Sequence, residues 1–294
     1  MPGQGPDLHV YQPRHDLVGD TYQPKGTDID LTCTLQGRGI LVTRAAHQAG
    51  GLVALIESQG GRAIPFPALE ILPARDPAAA KEHLEQSWDL MIFISPNAVR
   101  HANELLEGAA PKARHLAAVG EATARTLREL DLSPDLIPTD RQDSEGLLDL
   151  PELQSMADRR VLIVRGEGGR PLLGDSLRAR GAKVGYAEVY RRSRPKGDPL
   201  PLLQRWPEEV DIVTTTSSEV LGNLLSMLGD RGGELIRKTP LLVISERMAS
   251  RAAELGFKRV IQASGADDAA VLQALCDWVG TEDHQEEVAG PDKG

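Results

Sequence analysis

A chain of 294 residues with 40% hydrophobic content can bury one large core or two ordinary ones, and two are expected. Aromatics make up only 3%, so the core must be filled with Leu, Val, Ile and Ala, as in α/β layers, and a base-stacking surface is excluded. The formal charge of −10 argues against general nucleic-acid binding, and it is concentrated at the ends: residues 1–37 carry a net −3 and residues 281–294 a net −4.

Residues 1–37, rich in Pro, Gly, Asp and Thr without apolar periodicity, are predicted to be a flexible extension. The start lacks the basic and apolar regions of a signal peptide, and no window reaches the length of a membrane span. Cys33 and Cys276 lie far apart and suggest neither a disulfide framework nor a metal site. A reducing, cytoplasmic setting is the expectation.

Ile40-Leu41-Val42-Thr43-Arg44 is a buried strand with a polar end, followed by a helix through Leu52, Leu55 and Ile56 that stops at Gly60-Gly61. A short strand at 63–67 follows, then Leu69–Pro73, whose alternation between prolines marks a connector. Leu90–Ser95 is a strand feeding a helix that Ser95 caps with Pro96 in its first turn. His115–Gly120 repeats that design, Leu136-Ile137-Pro138 is a short strand, and Asp143-Ser144-Glu145 opens a helix.

At the centre, Val161-Leu162-Ile163-Val164 leads into Arg165-Gly166-Glu167-Gly168-Gly169-Arg170 and a helix begun by Pro171. A strand, glycine turn and helix with two arginines favours an anion at the helix start. The glycines do not make a nucleotide fingerprint, because the sixth position is Pro171 and no Lys-Ser/Thr follows. Glu188–Arg192 is a second alternating connector closed by Pro195. Residues 210–218 are a strand running into a helix, and strands at 241–245 and 260–261 are each followed by a helix, the last over 267–279.

The strand ends recur. Arg44 and Arg165, Ser95 and Ser217, and Gly120 and Ser245 are spaced almost equally, which implies an internal duplication and two similar α/β domains with parallel sheets. The carboxyl ends of such strands form the ligand face, so two facing sets would make a cleft.

Together, Val42-Thr43-Arg44, Phe93–Val99, Val119–Ala124, Ser144–Leu147, Arg165–Arg170 and Val189–Arg192 resemble the uroporphyrinogen-III synthase family over about residues 38–280. The resemblance implies a discontinuous first α/β domain of residues 38–68 and 196–280, and a second of residues 84–185. Residues 69–83 and 186–195 would pair as a two-stranded hinge, and 281–294 would be a flexible acidic tail. It implies closure of linear hydroxymethylbilane into uroporphyrinogen III, with loss of water and inversion of the last pyrrole ring, in haem biosynthesis. No cofactor and no metal are implied. The expected partner is that small-molecule substrate, with no nucleic acid and no membrane; the protein would be a monomer, in transient contact with the preceding pathway enzyme.

By the same resemblance Tyr190 is the proton donor that assists loss of the hydroxyl. Thr43, Ser95, Thr123, Ser144, Ser217, Ser218 and Ser245 sit at strand ends or helix starts suited to carboxylates, Arg44, Arg165 and Arg170 are candidate ion-pair partners, and Asn97, Gly120 and Gly166 offer backbone contacts. A two-lobed anion- or tetrapyrrole-binding sensor without catalysis is the alternative.

Overall fold

The computed structural model describes the backbone of residues 33–288 and the side chains of residues 33–281. Residues 1–32 of the extension expected over 1–37, and residues 289–294 of the tail expected over 281–294, lie outside the described residues. Two five-stranded sheets carry the chain.

The first sheet is entirely parallel. It contains β1 (Gly39–Val42), β2 (Arg62–Pro65), β8 (Ile212–Thr214), β9 (Leu241–Val243) and β10 (Val260–Gln262), in the order β10-β9-β8-β1-β2. β1, β8 and β9 are short apolar runs buried at every position, as strands covered on both faces must be. The cover comes from α1 (Ala46–Ser58), α7 (Leu200–Glu209), α8 (Ser218–Lys238), α9 (Glu246–Glu254) and α10 (Asp268–Val288). Trp206, Leu224, Leu228 and Ile236 fill one side of this core.

The second sheet holds β3 (Glu70–Pro73), β4 (Trp88–Phe93), β5 (Ala113–Ala118), β6 (Arg160–Gly166) and β7 (Lys183–Ser193), in the order β3-β7-β6-β4-β5. It is parallel except for β3, which runs antiparallel to β7. α2 (Pro77–Glu85), α3 (Pro96–Leu105), α4 (Glu121–Arg128), α5 (Ser144–Asp149) and α6 (Leu172–Ala179) pack on its faces. The duplication is visible in the order of neighbours: β2-β1-β8-β9 in one sheet corresponds to β7-β6-β4-β5 in the other.

Several expectations change. Leu136 makes one bridge to Ala117 and no strand, because Pro138 follows at once. The connectors do pair, Glu70 with Ser193 through Pro73 with Tyr190, but not as an isolated ribbon. The second belongs to β7, an eleven-residue strand also bonded to β6. Within 69–83, Asp76 caps α2 by accepting from the Ala79 N–H at 2.9 Å, so much of that connector is helix. α10 continues to Val288, so residues 281–288 extend a helix instead of forming a flexible tail; Glu282, Gln285, Glu286 and Glu287 are good helix formers.

At the other end, Leu35 is fully buried and its N–H donates to the Gln59 carbonyl at 2.7 Å, so the flexible extension stops short of residue 37. Both cysteines are disulfide-bonded, contrary to the expectation of free thiols. Their separation in sequence concealed this, because α10 packs back on α1, at whose end Leu35 is held. No helix among the described residues is long and apolar enough to cross a membrane.

Candidate active site

The carboxyl ends of the strands carry a repeated device. Ser95, Ser217 and Ser245 are extended residues whose Oγ accepts from the N–H three positions on, at 3.1, 3.1 and 3.4 Å, starting α3, α8 and α9. Gly120 starts α4 without a side chain, and Gln142 takes its place by accepting from the Glu121 N–H at 3.1 Å. These helix N-termini present N–H groups and the positive end of the helix dipole at one edge of each sheet. Ser218 is exposed in the first turn of α8, whereas Thr123 is buried on α4. Ser144 is not the cap of α5: Asp143 is, accepting from the Gly146 N–H at 2.8 Å.

Tyr190 occupies a slot beside this edge. Strict alternation would place it on the same face as Tyr186 and Glu188, but the register slips between Arg165 and Gly166, so Gly166 pairs with Tyr190. That bulge turns Tyr190 into the α2–α3 core with Ala187 and Val189. It is 1% exposed, stacked on His101 with ring centroids 5.7 Å apart, and its Oη shares a 3.2 Å hydrogen bond with Ser95 Oγ. Position 166 must be glycine, since a Cβ there would lie 2.6 Å from the Tyr190 ring. Tyr190, Ser95 and Gly166 are therefore one cluster.

The arginines divide. Arg44 bonds to Asp268 and donates to the Ala266 carbonyl at 2.9 Å, clamping the start of α10. Arg165 donates to Glu188 at 2.8 and 3.2 Å and to the Gly169 carbonyl at 3.2 Å, over the Tyr186 ring at 4.1 Å. Both are committed to the fold. Arg170 is 71% exposed, with Glu145 Oε1 at 3.4 Å as its partner, and is the cation of the three best placed to meet a ligand. Thr43 is buried too: its Oγ1 donates to the Thr214 carbonyl at 2.6 Å while Thr214 Oγ1 donates to the Leu41 carbonyl at 3.0 Å, locking β1 to β8.

The two ligand edges meet. Asn97 Oδ1, in the first turn of α3, lies 3.2 Å from His47 Nε2 and accepts from Gln48 Nε2 at 3.4 Å, both on α1. Arg192, near the end of β7, sits 3.6 Å from Glu219 in the first turn of α8. The starts of α1 and α3, and of α8 and the end of β7, are thus in contact.

The family model described as uroporphyrinogen-III synthase HemD matches residues 51–273. The chain is 38% identical over 243 residues to the uroporphyrinogen-III synthase of Escherichia coli strain K12, covering 80% of this chain and 99% of that protein. The chain belongs to the uroporphyrinogen-III synthase family. A putative uroporphyrinogen-III synthase of Methanothermobacter thermautotrophicus is 35% identical over 202 residues, covering 66% of this chain and 79% of that one. The fold is that of a mutant uroporphyrinogen III synthase from the extreme thermophile Thermus thermophilus (TM-score 0.55, 21% identity, 83% of this chain and 99% of that one). It is also that of the Helicobacter pylori 26695 synthetase (TM-score 0.52, 17% identity, 83% and 99%).

Sequence reasoning passed over several residues near the candidate site. His47 and Gln48 are ordinary helix-surface residues until α3 is brought opposite them. His101 shares a face with the apolar residues of α3 and carried no motif. Thr215, fully buried directly after β8, has an Oγ1 without a hydrogen-bond partner, and no pattern distinguished it from Thr214.

The Asp143 carboxyl is held below its usual range, first by the Gly146 N–H and then by Arg141. A lowered folded value means that this contribution to α5 is present above the ordinary carboxylate range and lost as pH falls through the folded value. Hydrogen exchange at Gly146 and Leu147 is expected to speed up below about pH 4 relative to pH 6 after correction for intrinsic rates. Unchanged protection across that interval would show that Asp143 does not hold the helix start.

Proposed function

We propose that the protein closes hydroxymethylbilane into uroporphyrinogen III, losing water and inverting the terminal pyrrole. The observation that carries the reading is the family match across residues 51–273, which takes in the whole second sheet and every strand of the first except β1. The substrate's acetate and propionate arms are matched by the N–H groups at the starts of α3, α8 and α9 and by Arg170. The same reading treats residues 38–68 and 196–280 as one domain and residues 84–185 as the other, joined through 69–83 and 186–195. It describes a cytoplasmic monomer that takes an unstable substrate from the enzyme that makes it.

Departure of the terminal hydroxyl is pushed by the electron-rich pyrrole and leaves a cationic azafulvene, so the protein needs to supply a proton to the leaving oxygen and hold the chain folded. Tyr190 is too buried to present its ring to the cleft, and Ser95 Oγ, 3.2 Å away and half-buried at the edge, is the route by which its proton reaches the substrate. In that arrangement Ser95 gives its proton to the departing oxygen and takes one from Tyr190. Attack by the substituted carbon before the ring can swivel is then catalysis by orientation.

Consumption of freshly made hydroxymethylbilane faster than its spontaneous closure is the expected result; a rate no greater than the buffer control would contradict the proposal. Arg170→Ala is expected to raise KM about fivefold to tenfold with kcat nearly unchanged, the loss of one charge-assisted contact. An unchanged KM would remove Arg170 from the site.

A further inference from the structure

At the amino-terminal edge of the second sheet, away from Ser95 and Tyr190, lies a cavity of about 450 Å³. Its floor is apolar, built from Leu90 at the start of β4, Leu153, Met156 and the half-buried Leu136; the first three are buried. Its rim carries Asp89, Asp135 and Glu152 with Arg159 and His115.

Two of these acids are fixed from behind. Asp89 Oδ2 accepts from the Arg160 N–H at 2.9 Å, and Asp135 Oδ2 accepts from the Leu116 N–H at 2.8 Å. Neither basic side chain grips them closely: Arg159 lies 3.9 Å from Asp89 Oδ1 and His115 Nδ1 lies 3.6 Å from Asp135 Oδ2. Among the described residues Glu152 has no hydrogen-bonding or ionic partner. The rim therefore offers three carboxylates against one guanidinium and one imidazole, two of them already oriented by the backbone.

We propose that this cavity is a second ligand site, for a small amphipathic cation: an aromatic or branched aliphatic body on the floor and a primary ammonium among Asp89, Asp135 and Glu152. The volume falls in the ordinary range of small-molecule sites, about 300–1,000 Å³. An anionic ligand would meet three like charges, and a neutral one would leave the fixed carboxylate oxygens without the partner their geometry suits. The polyanionic substrate is the opposite of this specification, so occupancy here does not compete with the cleft. A ligand would touch β4, β5 and the segments leading to β6 together, and would stabilise the second sheet by linkage.

The test titrates the full-length protein with 4-phenylbutylamine and its charge-reversed counterpart 4-phenylbutanoate, by calorimetry and amide chemical shifts. Saturable binding of the amine is expected, with shifts at Leu90, His115, Leu136 and Met156 and none at Ser95 or Ser217, and binding of the carboxylate at least tenfold weaker. Asp135→Asn combined with Glu152→Gln keeps an acceptor for Leu116 and should weaken the amine at least fivefold. Ser155→Trp, at an exposed rim position, should block the cavity and abolish the shifts while turnover stays as in the parent. Absence of saturable amine binding, equal affinity for both probes, shifts mapping elsewhere, or full affinity in Ser155→Trp would each overturn the proposal.

Discussion

Tyr190→Phe is expected to lower kcat for hydroxymethylbilane closure by about a hundredfold or more, the range for removing a general acid, with KM little changed. The fold should survive, because the ring itself fills the slot between Gly166 and His101 and phenylalanine fills it equally. What disappears is one hydroxyl and its bond to Ser95, worth about 1 kcal/mol of stability. Steady-state kinetics alongside a melting curve separates the two effects. A kcat within twofold of the parent, in a protein that melts normally, would make Tyr190 a packing residue and leave Ser95 without the role given to it.

Removing residues 1–37 is expected to destabilise the protein severely, while removing residues 1–32 leaves the described fold complete. The longer deletion takes away Leu35, whose burial contributes about 2–3 kcal/mol. It also takes away Cys33 and with it a disulfide worth about 2–4 kcal/mol. For a folded unit of this size the combined loss lowers the melting temperature by about 10–20 °C. Calorimetry of both truncations without reductant measures it, and reduction of the shorter one isolates the disulfide's share. Equal melting temperatures for the two truncations would show that residues 33–37 contribute nothing.

The strands were legible because both sheets are largely parallel and covered on both faces, so β1, β4, β6, β8 and β9 appear as apolar runs. The duplication was legible because the strand ends recur at nearly constant spacing, Ser95 and Ser217 capping the equivalent helices α3 and α8. α7 was not, because Pro199, Pro201 and Pro207 conceal a helix whose Leu202, Leu203 and Trp206 still share one buried face. Within the site, residues acting through their own local segment were readable, as with Ser95 capping α3. Those whose meaning depends on a neighbour were not. Arg165 was read as a ligand for carboxylates, yet the carboxylate it holds is Glu188 on the adjacent strand. The face that Tyr190 occupies depends on a one-residue register slip that no alternation pattern encodes.

The most direct measurement is the isomeric composition of the uroporphyrin recovered after oxidation when hydroxymethylbilane is mixed with the protein. The expected result is predominantly type III product, formed well above the spontaneous type I background and rising with protein concentration. Type I alone, at the rate seen in buffer and from a protein that melts cooperatively, would contradict the proposed function.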